Sequence, residues 1–280
     1  MTLLRALLSW LAFPVYVWQG VGVRLRTARM LPAEGPVIHH VAGKGEPVRL
    51  LVLGDSSAAS VGVGRTDRGL AARLAHLVAE RTGRPVDWRA AGFNSATSGQ
   101  IRDHVLPNLS HDGWTHIVLA VGTNDAKNFH TVGRFKREFG GLLYALRAKW
   151  PQAHIVWSPV IEMTLVPALP SLLGKVLEIR ASLLNRMGER LCQERGAVPA
   201  TRLPVEDPAS GFSTDGFHAS AAGYEAWALH MIDFVMATLD VAAGDAKTAE
   251  AKELSPAAPK RSASSRQSPA ARSSRSRRAS

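Results

Sequence analysis

Residues 48–64, VRLLVLGDSSAASVGVG, constrain the fold more than any other stretch of the chain. The first six are apolar except for Arg49, and a run this short that stops at a glycine is a buried strand. The chain then turns through Gly54 into Asp55, Ser56 and Ser57. A strand that ends so abruptly lifts a hydroxyl two positions later to the carboxyl edge of its sheet. Open α/β sheets hold their ligands along that edge. Ser56 is therefore the candidate nucleophile. A serine hydroxyl is weak alone, so the rest of the chain must supply a base, a group that orients it and donors for an oxyanion.

The pattern that begins there continues. Strand-like runs at 48–53, 86–91, 116–121, 154–160 and 197–200 alternate with helical periodicities at 70–81, 100–109, 134–150, 172–195 and 219–239. Strands separated by helices of this length make βαβ units and a parallel sheet covered on both faces. The expected fold is a three-layer α/β/α domain with a five-stranded parallel, flavodoxin-like sheet of order 2-1-3-4-5. It occupies residues 48–240.

The ends differ from this body. The net charge of +11 suggests nucleic acid until it is located. Residues 241–280 hold nine Lys/Arg against three acids, and the first thirty residues hold four arginines and no acid, which leaves about +1 for residues 31–240. Residues 241–280 are rich in Ala, Ser, Pro and basic side chains with little to bury, so a disordered basic tail is expected. That tail has no interleaved aromatics, and no specific nucleic-acid partner is expected of it. Residues 6–23 are free of charge and include Trp10, Pro14, Tyr16 and Trp18, with Arg24, Arg26 and Arg29 following. Residues 1–30 are thus expected to associate with a membrane, as a marginal span or an in-plane helix, the alternative being a helix packed on the domain's own surface. A span would leave the catalytic body in the cytoplasm by the positive-inside tendency. Residues 31–47, with three prolines and three glycines, are expected to be a linker.

Three further segments carry chemistry. In 212–228, FSTDGFHASAAGYEAWA, Asp215 and His218 stand three apart across a glycine turn, before a helix that Ser220 can cap. A carboxylate so placed can hold one imidazole nitrogen and aim the other, supplying the orienter and base that Ser56 lacks. The third strand ends in AVGTNDA, which puts Asn124 at the same sheet edge, where a side-chain amide can donate to a developing oxyanion. The second strand ends in AAGFNSATS, whose Gly92, Asn94 and Ser95 can bring a backbone N–H there.

Taken together, GDS at 54–56, GTND at 122–125 and DGFH at 215–218 resemble the SGNH (GDSL-type) hydrolase family. The resemblance implies Ser56 as nucleophile and oxyanion donor through its own N–H, Asn124 as a second oxyanion donor, and Asp215 and His218 completing a triad. The family's second block usually supplies a glycine N–H; Ser95 stands at that position here. A Ser at positive φ would be strained, and Gly92 is then the alternative donor. The resemblance covers residues 48–239 and implies hydrolysis of carboxylic esters without cofactor or metal.

Residues 162–173, EMTLVPALPSLL, are unusually apolar for a loop after the fourth strand. They are expected either to wall an acyl-chain site or to begin the next helix. The remaining histidines are scattered without HxH or HxxxH spacing, and the lone Cys192 lies in a helical pattern that reads as core. A lipidic or short-chain acyl ester is the expected substrate. The alternatives are a carbohydrate O-acetyl ester and, in another class, a nucleic-acid-binding or adaptor protein acting through the basic tail.

Overall fold

The computed structural model describes residues 2–27, 29–111 and 113–253. In chain order they form helices α1 (Thr2–Leu11) and α2 (Phe13–Arg26), strands β1 (Ile38–Val41) and β2 (Val48–Gly54), helix α3 (Leu70–Thr82) and strand β3 (Val86–Gly92). Then come β4 (His116–Ala120), α4 (Thr123–Lys127), α5 (Val132–Lys149), β5 (His154–Ser158), α6 (Ser171–Glu194), β6 (Val198–Pro199) and α7 (Ala221–Glu253). Residues 1–240 form one compact unit and 241–280 another, whose described residues are helical to Glu253.

The sheet has the order β1-β3-β2-β4-β5-β6. Five of its strands run parallel in the 2-1-3-4-5 arrangement of a doubly wound domain, with β2 and β4 at its centre. The layering follows from the two-residue period of these strands. In β2, Leu51 and Leu53 face a core shared with Ile117, Leu119, Ile155 and Trp157 beneath α5 and α6. Leu50 and Val52 face the opposite core with Val118 and Val156, beneath α3 and α7. Both faces are buried, which is why β2 reads as a nearly continuous apolar run. Local signals end the helices where expected: Gly83 takes the left-handed conformation (φ 67°) after α3, and Thr131 caps α5 by accepting from the Arg134 N–H.

The sheet is mixed and six-stranded, one strand more than expected. Ile38–Val41 lies within the stretch read as a linker and pairs antiparallel with β3, Ile38 opposite Arg89 and Val41 opposite Val86. It is a four-residue, mostly exposed edge strand, so its hydrophobic signal is faint. The helix expected at 100–109 is a chain of three short turns of different pitch over Ser98–Asn108, started by a Thr97–Gln100 capping box. The last helix runs past residue 239 to Glu253, because the sequence there is rich in Ala, Lys and Glu. Residues 254–280, the rest of the expected tail, lie outside the described residues.

The N-terminal stretch is two helices broken at Ala12, with Pro14 in the first turn of α2. No helix of the described residues is long and apolar enough to cross a membrane. One face of α1 and α2 packs on the body of the domain. Trp10 meets Phe129 edge-on at 5.2 Å, the Tyr16 hydroxyl donates to the Lys127 carbonyl, and Gln19 accepts from the Leu173 N–H at 3.1 Å.

Candidate active site

Three strand ends and one turn meet at the carboxyl edge of the sheet. At the end of β2, Gly54 lies so close to β4 that a Cβ there would stand 2.1 Å from the Ala120 carbonyl oxygen. The turn that follows is organised by Asp55. Its buried carboxylate accepts from the Ser57 N–H (3.1 Å), the Ser57 hydroxyl (2.8 Å) and the Asn124 amide (3.1 Å). Burial pushes the Asp55 pKa up, and the Ser57 hydrogen bonds only partly oppose it. Ser56 follows, its carbonyl accepting from the Val61 N–H at 2.9 Å. Gly62 (φ 107°) then passes against the other half of the site, where a Cβ would stand 2.2 Å from the Ala219 carbonyl and 3.0 Å from the His218 Cβ. Only glycine permits both that conformation and that approach.

The other half is a turn closed by Ser213 N–H to the His218 carbonyl (2.7 Å), with Gly216 left-handed at φ 66°. Asp215, whose side chain is fully buried, accepts from the N–H of Phe217 (2.9 Å) and of His218 (3.0 Å) on one oxygen. Its other oxygen lies 2.5 Å from His218 Nδ1. Burial works against the Asp215 charge, but these three hydrogen bonds prevail and hold its carboxyl below the usual value. With Nδ1 so engaged, Nε2 is the nitrogen left to move a proton. The Ser213 hydroxyl donates to the Gly62 carbonyl at 2.9 Å, tying this turn to the serine loop, and Ser220 caps α7 by accepting from the Gly223 N–H.

Asn124 enters from α4, which Gly122 opens at φ 129°. Its amide nitrogen donates to Asp55 (3.1 Å) and to the Ala96 carbonyl (3.0 Å), so both hydrogens are engaged. An oxyanion at this site would have to share one of them. Ser95 is exposed and left-handed at φ 66°, the strained conformation that the departure from glycine implied. Gly92 pairs with Gly54 across the sheet, where a Cβ would stand 2.0 Å from the Gly54 carbonyl oxygen.

Ser56, Asn124 and His218 line one cavity of about 440 Å³; Ser95 and Gly92 do not. One wall is Val160, Ile161, Met163 and Val166, so part of the apolar loop at 162–173 does wall the cavity, while α6 begins only at Ser171. Arg202 fixes this wall: it donates to the carbonyls of Val160 (2.8 Å) and Ile161 (2.9 Å) and grips Glu178 with both terminal nitrogens (2.8 Å each). Residues 203–207, 210 and 211 also line the cavity, with Trp227, whose indole N–H donates to the Ser158 hydroxyl at 2.9 Å. Sequence reasoning missed these residues, along with Gly62 and Arg202. The available signals were Pro204, Pro208 and the N-cap Asp207, which mark a shaped loop.

Lys127, beside the site, holds its ammonium 4.5 Å from the centre of the Phe217 ring, and burial pushes its pKa down. Cys192 is buried, and its thiol is pushed up to about 12, which fits the core reading. One group with metal-ligand spacing stands among the described residues: Asp125, His130 and Glu138. His130 Nδ1 lies between the two carboxylates, 3.2 Å from Asp125 and 3.4 Å from Glu138, and Arg134 neutralises Glu138 at 2.7 Å. Asp125 also accepts from the Ser98 N–H and hydroxyl, at 3.0 Å each, and the group lies outside the cavity lining.

Residues 52–226 match the model of the GDSL-like lipase/acylhydrolase family. The chain belongs to that family. No curated protein sequence matches it. Its fold is similar to that of a psychrotrophic esterase, EstA, from Pseudoalteromonas sp. (TM-score 0.56, 15% identity, 69% of this chain and 99% of that one). It is also similar to TesA (0.54, 18%, 68% and 97%) and to a family 3 carbohydrate esterase of Clostridium thermocellum (0.53, 15%, 69% and 98%). At these identities the solved structures speak for the fold. The family membership makes the chain an esterase-type hydrolase, and the six-stranded sheet with helices on both sides is the GDSL architecture.

Proposed function

We propose that the chain is a serine esterase that cleaves acyl esters through an acyl-enzyme. The observation that carries this reading is the pairing of His218 Nδ1 with Asp215 while Ser56 and His218 line one cavity. Ser56 Oγ attacks the ester carbonyl as His218 Nε2 takes its proton, and Asp215 steadies the imidazolium that results. The oxyanion receives hydrogen bonds from the Ser56 N–H and the Asn124 amide. The proton then passes from His218 to the departing alkoxide. Water, deprotonated by the same imidazole, attacks the acyl carbon and restores Ser56. A backbone N–H of the second loop, at Ser95 or Gly92, is the third candidate donor.

The apolar wall of Val160, Ile161, Met163 and Val166 favours an acyl chain over a sugar as the larger part of the substrate. A fluorophosphonate probe is expected to label the wild type and not Ser56→Ala, with nitrophenyl esters of graded acyl length defining the chain preference. Labelling that persists at another serine, or an acetylated polysaccharide cleaved faster than every acyl ester, would overturn the reading.

A further inference from the structure

The two N-terminal helices have unlike faces. On the inner face, Tyr16 and Val23 pack against the cluster of Val160, Met163 and Val166, which is the apolar wall of the cavity. On the outer face of α2, Trp18, Val21 and Leu25 repeat at helical spacing and are 76, 54 and 81% exposed. In α1, Leu4, Leu7 and Leu11 repeat likewise at 62, 54 and 77%. Trp10 and Phe13 lie off this stripe, both rings packing edge-on against Phe129 (5.2 and 5.3 Å). Single exposed apolar side chains are ordinary, but a stripe along two consecutive helices is a contact surface.

Charge identifies what it contacts. Arg24, Arg26 and Arg29 are exposed at the end of α2 and just beyond it, and the first thirty residues contain no acid. A protein partner would need matching acids and a matching apolar shape. A bilayer of anionic lipid offers both with no shape to match. Helices with one apolar face, interfacial Trp and flanking Arg lie in its plane.

We propose that the outer face of α1 and α2 docks in the plane of an anionic lipid bilayer, and that the cavity takes its ester from that surface. The second clause rests on the esterase reading. The first does not. Because α2 separates the lipid-facing stripe from the cavity wall by one helix diameter, docking holds the site beside the bilayer.

The test uses the full chain and vesicles of phosphatidylcholine with or without phosphatidylglycerol. The wild type is expected to sediment with the phosphatidylglycerol vesicles. Trp18→Ser/Val21→Ser/Leu25→Ser, all at exposed positions, is expected to weaken that binding at least about tenfold. Arg26→Gln/Arg29→Gln, which leaves the stripe intact, is expected to weaken it by about thirtyfold. Hydrolysis of soluble p-nitrophenyl butyrate is expected to be unchanged in both variants, which also verifies their folding. Hydrolysis of p-nitrophenyl palmitate carried in the vesicles is expected to fall in step with binding. Docking is overturned if the wild type does not bind, or if the stripe variant binds as well as the wild type, since the basic tail then carries the attraction. It is equally overturned if the wild type is a lipid-free dimer that the stripe variant turns into a monomer. Binding without hydrolysis of either ester would leave docking supported and overturn the esterase reading.

Discussion

The two halves of the site each contain a buried aspartate, and the two are treated oppositely. Asp215 receives three N–H groups within its own turn, and these hold its pKa down against burial. Asp55 receives a hydroxyl, one backbone N–H and one amide, and burial raises its pKa. A carboxylate can stabilise an imidazolium only while charged, and the donors around Asp215 favour its charged form. Asp55 instead acts as a brace: it orders the turn carrying Ser56 and reaches across to Asn124. Asp55 is the more deeply enclosed and has one backbone N–H, whereas Asp215 has two and an imidazole, so depth and donors together set what each aspartate can do.

Replacing each aspartate by asparagine tests this most severely. Asp215→Asn puts an amide against the His218 Nδ1–H and favours the wrong tautomer, so turnover is expected to fall by about 10⁴ with stability little altered. Asp55→Asn keeps an oxygen for Ser57 and disturbs one contact, toward Asn124. Its expected cost is about 1–2 kcal/mol of stability and less than a hundredfold in turnover. Steady-state kinetics beside denaturant unfolding separates the two. Equal losses of turnover would end the distinction and draw Asp55 into the proton traffic.

Asn124 sharpens the comparison because it is the donor the brace holds. Asn124→Ala is expected to lower kcat by roughly 10²–10³ with KM nearly unchanged, as an oxyanion donor acts chiefly in the transition state. A loss seen only in stability would mean that Asn124 does no more than tie Asp55 to the Ala96 carbonyl.

The same contrast explains what could be read from the sequence. The Asp215–His218 pair is a local contact three residues apart, so its spacing made it a candidate before the other motifs were joined to it. The parallel, doubly wound sheet followed from alternation, and Ser56 and Asn124 became candidates because their strands stop at Gly54 and Gly122. What stayed hidden is held by long-range contacts. The wall at 160–166 is gripped by Arg202, some forty residues later in the chain. Gly62 meets Ala219 across the whole domain. β1 has too few buried side chains to announce itself, and it exists because β3 offers an edge. For residues 6–23, apolarity left a membrane helix and a helix packed on the domain both open, and the structure divides the stretch into two helices with one face on protein.

Away from the site, His116 shows burial prevailing with no hydrogen bond strong enough to oppose it. Buried in β4 and stacked on His154 at 5.3 Å, its pKa is pushed down from 6.5 to about 4, by burial first and then by the charges of His154 and Arg84. A depressed histidine favours the fold while it is neutral. That stability is complete above pH 6.5 and is lost as pH falls from 6.5 towards 4, by about 3 kcal/mol at the limit. Asp215, held below 3.8, loses its contribution only at still lower pH, so the two windows are separate. Urea unfolding is expected to show a weaker fold at pH 4.5 than at pH 7, and His116→Leu is expected to flatten most of that slope. An unchanged slope in the variant would assign the loss to other groups.

The smallest expected effect is at Ser95, and it bears on how the second loop is built. A non-glycine residue at φ 66° is strained by its Cβ. Ser95 is exposed, and its hydroxyl reaches only Asn94, at 3.5 Å, so little in its side chain offsets that strain. Ser95→Gly relieves the strain but adds freedom to the unfolded chain, leaving an expected net stabilisation of about 0.5–1 kcal/mol. If the loop presents only a backbone N–H to the oxyanion, turnover should stay within about twofold, because the change keeps that N–H and its conformation. A gain in stability with a large loss of turnover would separate the two halves differently: the Ser95 hydroxyl would then touch substrate, and strain at Ser95 would serve to aim it.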